Sequence, residues 1–287
     1  MEIKKAIITT AGYSTRFLPV CKSIPKPMLP ILEVPIIHEL VKECIDGGIT
    51  DIILVTSYGN DAIEDYFDSR PDLETHLVNT NKEERYKRFG EVFGKASVIS
   101  VRQNRSLPYG SGSAILAAEP WISKGEAFAV IYGDDLVLSN ESAIGQLKKI
   151  YESKQGNIGA VIAVQKVSEE DISLYGSVKF KNESEGLIQS LLEKPTALEA
   201  PSLLGSYGRY IVSYDIFKYL HTGGLINNEL YFSKAIDDMA KEMDVYAKEI
   251  DGEWLTTGDP LSYTKAVVKY AMKRENFKDE IKKIVNS

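Results

Sequence analysis

Arg16, Lys22 and Lys26 fall in one stretch, residues 11–35, which also holds Gly12 and the prolines Pro19, Pro25, Pro27, Pro30 and Pro35. Such a cluster suits phosphate. A guanidinium can hold two oxygens at once, and a lysine ammonium adds a mobile positive charge. Gly12 has no side chain to keep a bulky group from the backbone, and successive N–H groups in a turn can face anionic oxygens. The two familiar glycine codes for nucleotides, GxGxxG and GxxxxGK[ST], are both absent. A second signal is Asp134-Asp135, just past the apolar run 127–132. Carboxylate and phosphate oxygens are the hard donors that Mg²⁺ accepts. Adjacent side chains of an extended chain point apart, so one of the two aspartates is the ligand. A third signal is Gln103, followed by Gly110-Ser111-Gly112-Ser113. The glutamine amide can match the imide edge of uracil or thymine, and the helix start beside it offers unpaired N–H groups.

These groups need a frame. Residues 3–9 read as a strand buried on both faces, and the proline-rich stretch behind it excludes a regular helix or central strand through most of its length. So long a loop in a compact chain points to function. Residues 36–46 predict an amphipathic helix ended by Gly47-Gly48, and 51–56 a second buried strand. Helical patterns at 60–67, 73–88, 113–119 and 142–153 alternate with strands at 97–101, 128–132 and 158–164. That alternation predicts an α/β, Rossmann-like fold with a mixed, mostly parallel sheet flanked by helices. After about residue 167 the pattern changes to half-exposed strands at 175–181 and 186–193 joined by a polar turn. A strand at 203–214, a helical turn at 215–220, a helix at 229–241, a strand at 245–250 and a helix at 260–274 follow. No Gly/Ser linker separates the two parts, so residues 1–165 and 166–287 are expected to share one sheet.

Composition narrows the function. The 287 residues carry 34 Lys+Arg against 41 Asp+Glu, a formal charge of −7, which gives no net positive field for nucleic acid. No apolar run approaches the ~20 residues of a membrane-spanning helix. Cys21 and Cys44 make no disulfide framework, and three histidines leave little for a zinc site. A reducing, cytoplasmic setting is the expectation.

Residues 11–19, Ala-Gly-Tyr-Ser-Thr-Arg-Phe-Leu-Pro, and 22–31, Lys-Ser-Ile-Pro-Lys-Pro-Met-Leu-Pro-Ile, together resemble the signature of the sugar-1-phosphate nucleotidylyltransferases. Within that family the resemblance is to the bacterial and archaeal UTP–glucose-1-phosphate uridylyltransferases, and it continues in blocks to about residue 266. It implies that UTP and glucose 1-phosphate become UDP-glucose and pyrophosphate with Mg²⁺ as cofactor. It implies a homo-oligomer, dimer or tetramer, with residues 73–88 and 277–285 as candidate contact segments. By the same resemblance Arg16 and Lys26 hold the triphosphate and the leaving pyrophosphate, while Ala11 and Gly12 approach the nucleotide. Gln103 and Gly110 contact the pyrimidine, Asp134 holds the metal, and Asp135 helps place the nucleotide. In the second half, Gly176, Glu193, Gly208 and Glu229 face the sugar and Lys194 clamps its phosphate. The physics agrees: two anions must meet, so their repulsion has to be neutralised before an oxygen reaches the α-phosphorus.

Four positions depart from the family pattern. Thr256 stands where the family has an aspartate, and Asp259 lies just past Gly258. Asp259 could reach the metal or cap a helix beginning at Pro260. Lys234 replaces another aspartate. Ser111 and Ser113 stand where a leucine and a histidine are usual, which leaves uridine against thymidine open. Two further readings therefore stand: a thymidylyltransferase or other sugar-1-phosphate nucleotidylyltransferase, and a non-catalytic subunit that binds a nucleotide sugar as a signal.

Overall fold

Ala6, Ile7 and Ile8 are fully buried because β1 (Lys5–Thr9) has a parallel neighbour on each side. The computed structural model describes residues 2–223 and 225–285. The loop behind β1 makes three single 3-10 turns, Thr15–Phe17, Val20–Lys22 and Lys26–Met28, and the short pair β2 (Pro30–Ile31) and β3 (Val34–Pro35). Helix α1 (Ile36–Asp46) follows, and β4 (Asp51–Thr56) returns beside β1. Helix α2 (Asp61–Tyr66) lies within the predicted 60–67, while the charged stretch predicted as a helix over 73–88 divides into α3 (Pro71–Asn79) and a 3-10 turn at Glu83–Tyr86. Asn81, at φ 52, stops α3, a conformation that asparagine tolerates. Then come β5 (Ser97–Arg102), α4 (Ser111–Ala118), β6 (Ala127–Tyr132), β7 (Asp135–Leu138), α5 (Ala143–Ser153) and β8 (Ile158–Lys166).

The second half supplies the hairpin β9 (Gly176–Asn182) and β10 (Leu187–Glu193), then β11 (Leu204–Ser213), α6 (Ile216–Thr222) and α7 (Phe232–Met239). It ends with β12 (Asp244–Glu249), β13 (Glu253–Thr256), α8 (Pro260–Met272) and α9 (Glu275–Val285). Nine strands form one sheet in the order β5-β4-β1-β6-β11-β8-β12-β10-β9. Only β10 and β11 run against the others, so the α/β class and the mixed, mostly parallel sheet predicted from the residues are what the chain builds.

Two cores cover the two faces. Ile8, Ala129 and Ile131 point to one, closed by α1, α5 and α8; Ile7, Phe128 and Val130 point to the other, closed by α4, α6 and α7. Successive residues of one strand feed opposite cores, which is why no polar alternation shows in these strands. Two elements escape the sequence reading. β7 and β13 are four residues each and pair antiparallel in a small sheet of their own. The helix predicted from 229 begins only at Phe232, because Leu230 N–H is drawn to Tyr109 C=O at 2.7 Å and keeps the preceding segment extended. Among the described residues no helix is long and apolar enough to cross a membrane.

Candidate active site

β1, β4, β5 and β6 run parallel, so the loops that follow them open at one edge of the sheet, the edge where ligands of open α/β sheets bind. The loop after β1 is fixed from below by Phe17 and Pro27, both buried; the Phe17 ring meets Tyr263 edge-on at 5.8 Å. With these anchors inside, Arg16 is left exposed and Lys26 reaches across the loop. Lys26 Nζ donates to Asp134 Oδ2 at 2.6 Å, and Arg16 Nη1 points at Gly258 C=O at 3.5 Å. A Cβ at Gly258 would lie 3.2 Å from Thr256 Oγ1, 3.6 Å from Arg16 Nη1 and 3.9 Å from Asp134 Oδ2. Glycine at this point keeps open a small cradle built by three separate stretches of chain. Gly12 is exposed, and no atom lies within 4 Å of where its Cβ would stand, so the chain itself gives no reason for a glycine there; Ala11 beside it is half-buried.

The backbone that carries Asp134 is held on several sides. Gly133 crosses the end of β1 so closely that a Cβ would come within 2.4 Å of Thr9 C=O, and its N–H donates to that oxygen at 3.0 Å. Asp134 C=O accepts from Thr257 N–H at 2.6 Å and from Thr257 Oγ1 at 2.9 Å. Asp135 turns inward. Its Oδ2 accepts from Gly208 N–H at 3.1 Å and its Oδ1 from the Trp254 indole at 2.8 Å. Burial, and then the Asp134 charge, push its carboxyl up to about 6. Arg209, fully buried, forks onto both oxygens of Glu43 at 2.8 and 2.7 Å and donates to Asp135 C=O at 2.6 Å and Gly208 C=O at 2.8 Å. Through Arg209 the loop after β6 is tied to α1.

Four of the expected site residues have structural bonds or packing of their own. Asp135 is buried, and both carboxylate oxygens brace β11 and β13. Asp259 caps α8: its Oδ1 accepts from Leu261 and Ser262 N–H at 2.9 and 3.0 Å at the start of that helix. Gly208 is buried where a Cβ would stand 2.3 Å from Tyr132 Cβ, its N–H donates to Asp135 and its C=O accepts from Arg209. Gly176 is buried between β10 and β11, where a Cβ would fall 2.7 Å from Ser206 Oγ. Packing alone is enough to require both glycines.

Just past β5, Gln103 donates its N–H to Thr56 C=O at 2.9 Å, and among the described residues no side-chain bond occupies its amide. Gly110 adopts φ 127, with a Cβ position only 2.4 Å from Leu230 C=O, so only glycine fits. Leu230 is laced to this loop by its N–H to Tyr109 C=O at 2.7 Å and its C=O from Gly112 N–H at 2.8 Å. The two unusual serines belong to the same lacing. Ser111 Oγ accepts from Phe232 N–H at 3.0 Å, and Ser113, fully buried, donates to Pro108 C=O. They join the base loop to the segment that carries Glu229.

On the sugar side, Glu193 and Gly176 pair at the base of the β9–β10 hairpin, beside Ser206, which in turn stands opposite Val164 near the carboxyl end of β8. Lys194 follows in the left-handed region at φ 45, its N–H on Tyr175 C=O at 3.0 Å. Its ammonium lies 3.9 Å from Glu193 Oε1 and 5.0 Å over the Tyr231 ring. Burial, and then the Glu229 carboxylate beside it, push the Tyr231 hydroxyl up to about 12. Lys234 is committed to its own helix, to Asp238 and, at 3.6 Å, Asp237.

Lys26 and Asp134 therefore meet directly, with Arg16 beside them at Gly258, while Glu193, Lys194 and Glu229 form a second group around Tyr231. Among the described residues no direct contact joins Lys194 to the first three. Tyr175 stands between the groups, raised to about 12 by burial and by the charges of Asp135, Asp171, Asp259 and Asp134. Four residues of this framework were not read from sequence: Glu43, Arg209, Trp254 and Thr257. One signal was available, an arginine in the middle of the otherwise uncharged strand 204–213.

A model of the family described as Nucleotidyl transferase matches residues 5–273. The chain is 40% identical to a UTP–glucose-1-phosphate uridylyltransferase of Staphylococcus haemolyticus, over 99% of this chain and 98% of that one. A solved UTP-bound UGPase from Acinetobacter baumannii superposes with a TM-score of 0.89 at 32% identity, covering 100% of this chain and 99% of the other. A UDP-glucose pyrophosphorylase solved with UDP-glucose gives 0.85 at 35% identity, over 95% and 100%. With residues 5–273 matched by the family model and a 40% identical relative covered almost end to end, the protein belongs to the nucleotidyl transferase family.

Proposed function

We propose that the chain transfers the uridylyl group of UTP to glucose 1-phosphate, giving UDP-glucose and pyrophosphate. The observation that carries the proposal is the convergence of Arg16, Lys26 and Asp134 around the open cradle at Gly258, with Lys194 and Glu193 at the same edge of the sheet. A sugar phosphate is its own nucleophile and is already ionised, so no covalent side chain or general base is required. What the protein supplies is position and charge compensation. Arg16 and Lys26 lie against the triphosphate and take up the charge that grows on the leaving pyrophosphate. Lys194 neutralises and orients the attacking phosphate, and Glu193 and Glu229 accept from sugar hydroxyls. Gln103 reads the imide edge of the base, with Gly110 beneath it.

The donors in the cradle fit Mg²⁺. They are hard oxygens, the Asp134 carboxylate and the Thr256 hydroxyl, and Mg²⁺ needs no all-protein cage when phosphates and water complete its shell. When bound it would add positive charge at the phosphates. Among the described residues no three His, Cys, Asp or Glu cluster, so Asp134 would be its one charged protein ligand. We also place the protein in the cytoplasm, in keeping with two unpaired cysteines, and as a homo-oligomer, which light scattering would read.

The test is pyrophosphate release from each nucleoside triphosphate paired with glucose, galactose or mannose 1-phosphate, with and without Mg²⁺. UTP with glucose 1-phosphate should give the highest kcat/KM. A preference for dTTP would replace the uridylyl assignment, and release from no pair would leave only a binding protein.

A further inference from the structure

The Lys26–Asp134 pair is unequal in freedom. Asp134 is pinned through its main chain by the two bonds from Thr257 and by the neighbouring Gly133 bond to Thr9. The Lys26 backbone sits in a 3-10 turn held by buried Pro27, yet its ammonium ends a flexible four-carbon stem. The ammonium covers Asp134 Oδ2 at 2.6 Å and can swing off, whereas the carboxylate cannot follow it. The neighbouring oxygens have other partners: Thr256 Oγ1 accepts from Gly258 N–H at 3.2 Å, Asp259 Oδ1 caps α8, and Asp135 is buried. Lys26 thus competes with any divalent cation for Asp134 Oδ2, and a chain of phosphates would compete with Asp134 for the ammonium.

We infer that Lys26 closes Asp134 to a divalent cation until the phosphates of a nucleotide draw the ammonium away, so that the cation enters with the nucleotide and not before it. The nucleotide's part in this rests on the transferase reading above; the competition between Lys26 and a cation for Asp134 belongs to the free protein and is tested there.

Mn²⁺ is the probe, read by the loss of its free aqueous EPR signal in titrations of nucleotide-free protein at fixed ionic strength. Wild type should bind weakly, and Lys26→Gln and Lys26→Met should each bind at least roughly tenfold more tightly. Arg16→Gln removes the same charge from the same cleft without freeing Asp134, and should tighten binding less than roughly threefold. Adding Asp134→Asn to Lys26→Gln should abolish the gain. Melting curves on each variant confirm that folded protein is compared, and two Lys26 substitutions guard against one that fails to fold. Equal Mn²⁺ affinity in wild type and both Lys26 variants overturns the inference, as does an equal gain from Arg16→Gln. Neither result touches the transferase assignment, which stands or falls on pyrophosphate release from the wild type.

Discussion

Replacing Glu43 by glutamine should destabilise the protein by about 3 kcal/mol, near the low end of the 3–5 kcal/mol seen when one partner of a buried pair is removed. The estimate follows from geometry. Arg209 is fully buried, its side chain 0% exposed against 11% for Glu43, and it meets both carboxylate oxygens at 2.7–2.8 Å. Glutamine keeps the shape but turns one acceptor into a donor facing another donor, and it leaves the guanidinium charge without a counter-ion. Two carbonyls, Gly208 and Asp135, still hold Arg209, so the side chain stays in place and bears the full cost. Urea unfolding followed by tryptophan fluorescence measures the loss, with Glu242→Gln as control. Glu242 pairs with Lys218 at the surface, both more than half exposed, so its loss should be small beside that of Glu43. A Glu43→Gln loss below about 1 kcal/mol, or one no larger than the control, would refute the reasoning that this pair holds the site's frame.

Gly258→Ala places a methyl in the cradle, 3.2 Å from Thr256 Oγ1, at a backbone angle that alanine accepts, so kcat/KM should fall by roughly 100-fold with little change in melting temperature. Lys194→Ala should raise KM for glucose 1-phosphate while leaving KM for UTP nearly unchanged; steady-state kinetics with each substrate varied will show it. Asp259→Ala should cost about 1 kcal/mol of stability by urea unfolding, through loss of the α8 cap, and leave the Mg²⁺ concentration for half activity unaltered. For Asp135 the folded value, about 6, lies above that of the unfolded chain, so its contribution is fullest below about pH 4 and is lost as pH rises through about 6. Wild type should therefore lose stability relative to Asp135→Asn between those values, and a difference independent of pH would contradict the buried placement.

The sheet was legible because each central strand is a short apolar run, and two cores on opposite faces erase alternation where the strand is parallel on both sides. Ile36–Asp46 and Asp51–Thr56 emerge with the bounds read from sequence. What escaped were elements set by distant pairing. β7 and β13 carry too few residues to declare a period, and each exists because the other lies beside it. The site divides in the same way. Arg16, Lys26 and Asp134 could be found because cations in a proline-rich loop and a carboxylate after a buried strand are local patterns. Gly176 and Gly208 could not be sorted by composition, because a glycine required by a neighbouring Tyr132 or Ser206 looks the same in sequence as one required by a sugar. The adjacent aspartates follow the alternation rule: Asp134 faces the cleft and Asp135 the interior. The indole of Trp254 and the N–H of Gly208, which give Asp135 its task, come from residues 119 and 73 positions away.

A crystal structure of the protein with UDP-glucose and Mg²⁺ tests the central claim most directly. The account predicts the uracil at Gln103 and Gly110, the glucose at Glu193 and Glu229, and the two phosphates between Asp134 and Lys194, spanning the gap at Tyr175. Phosphates bound away from Asp134, or a glucose with no contact to Glu193 and Lys194, would contradict it.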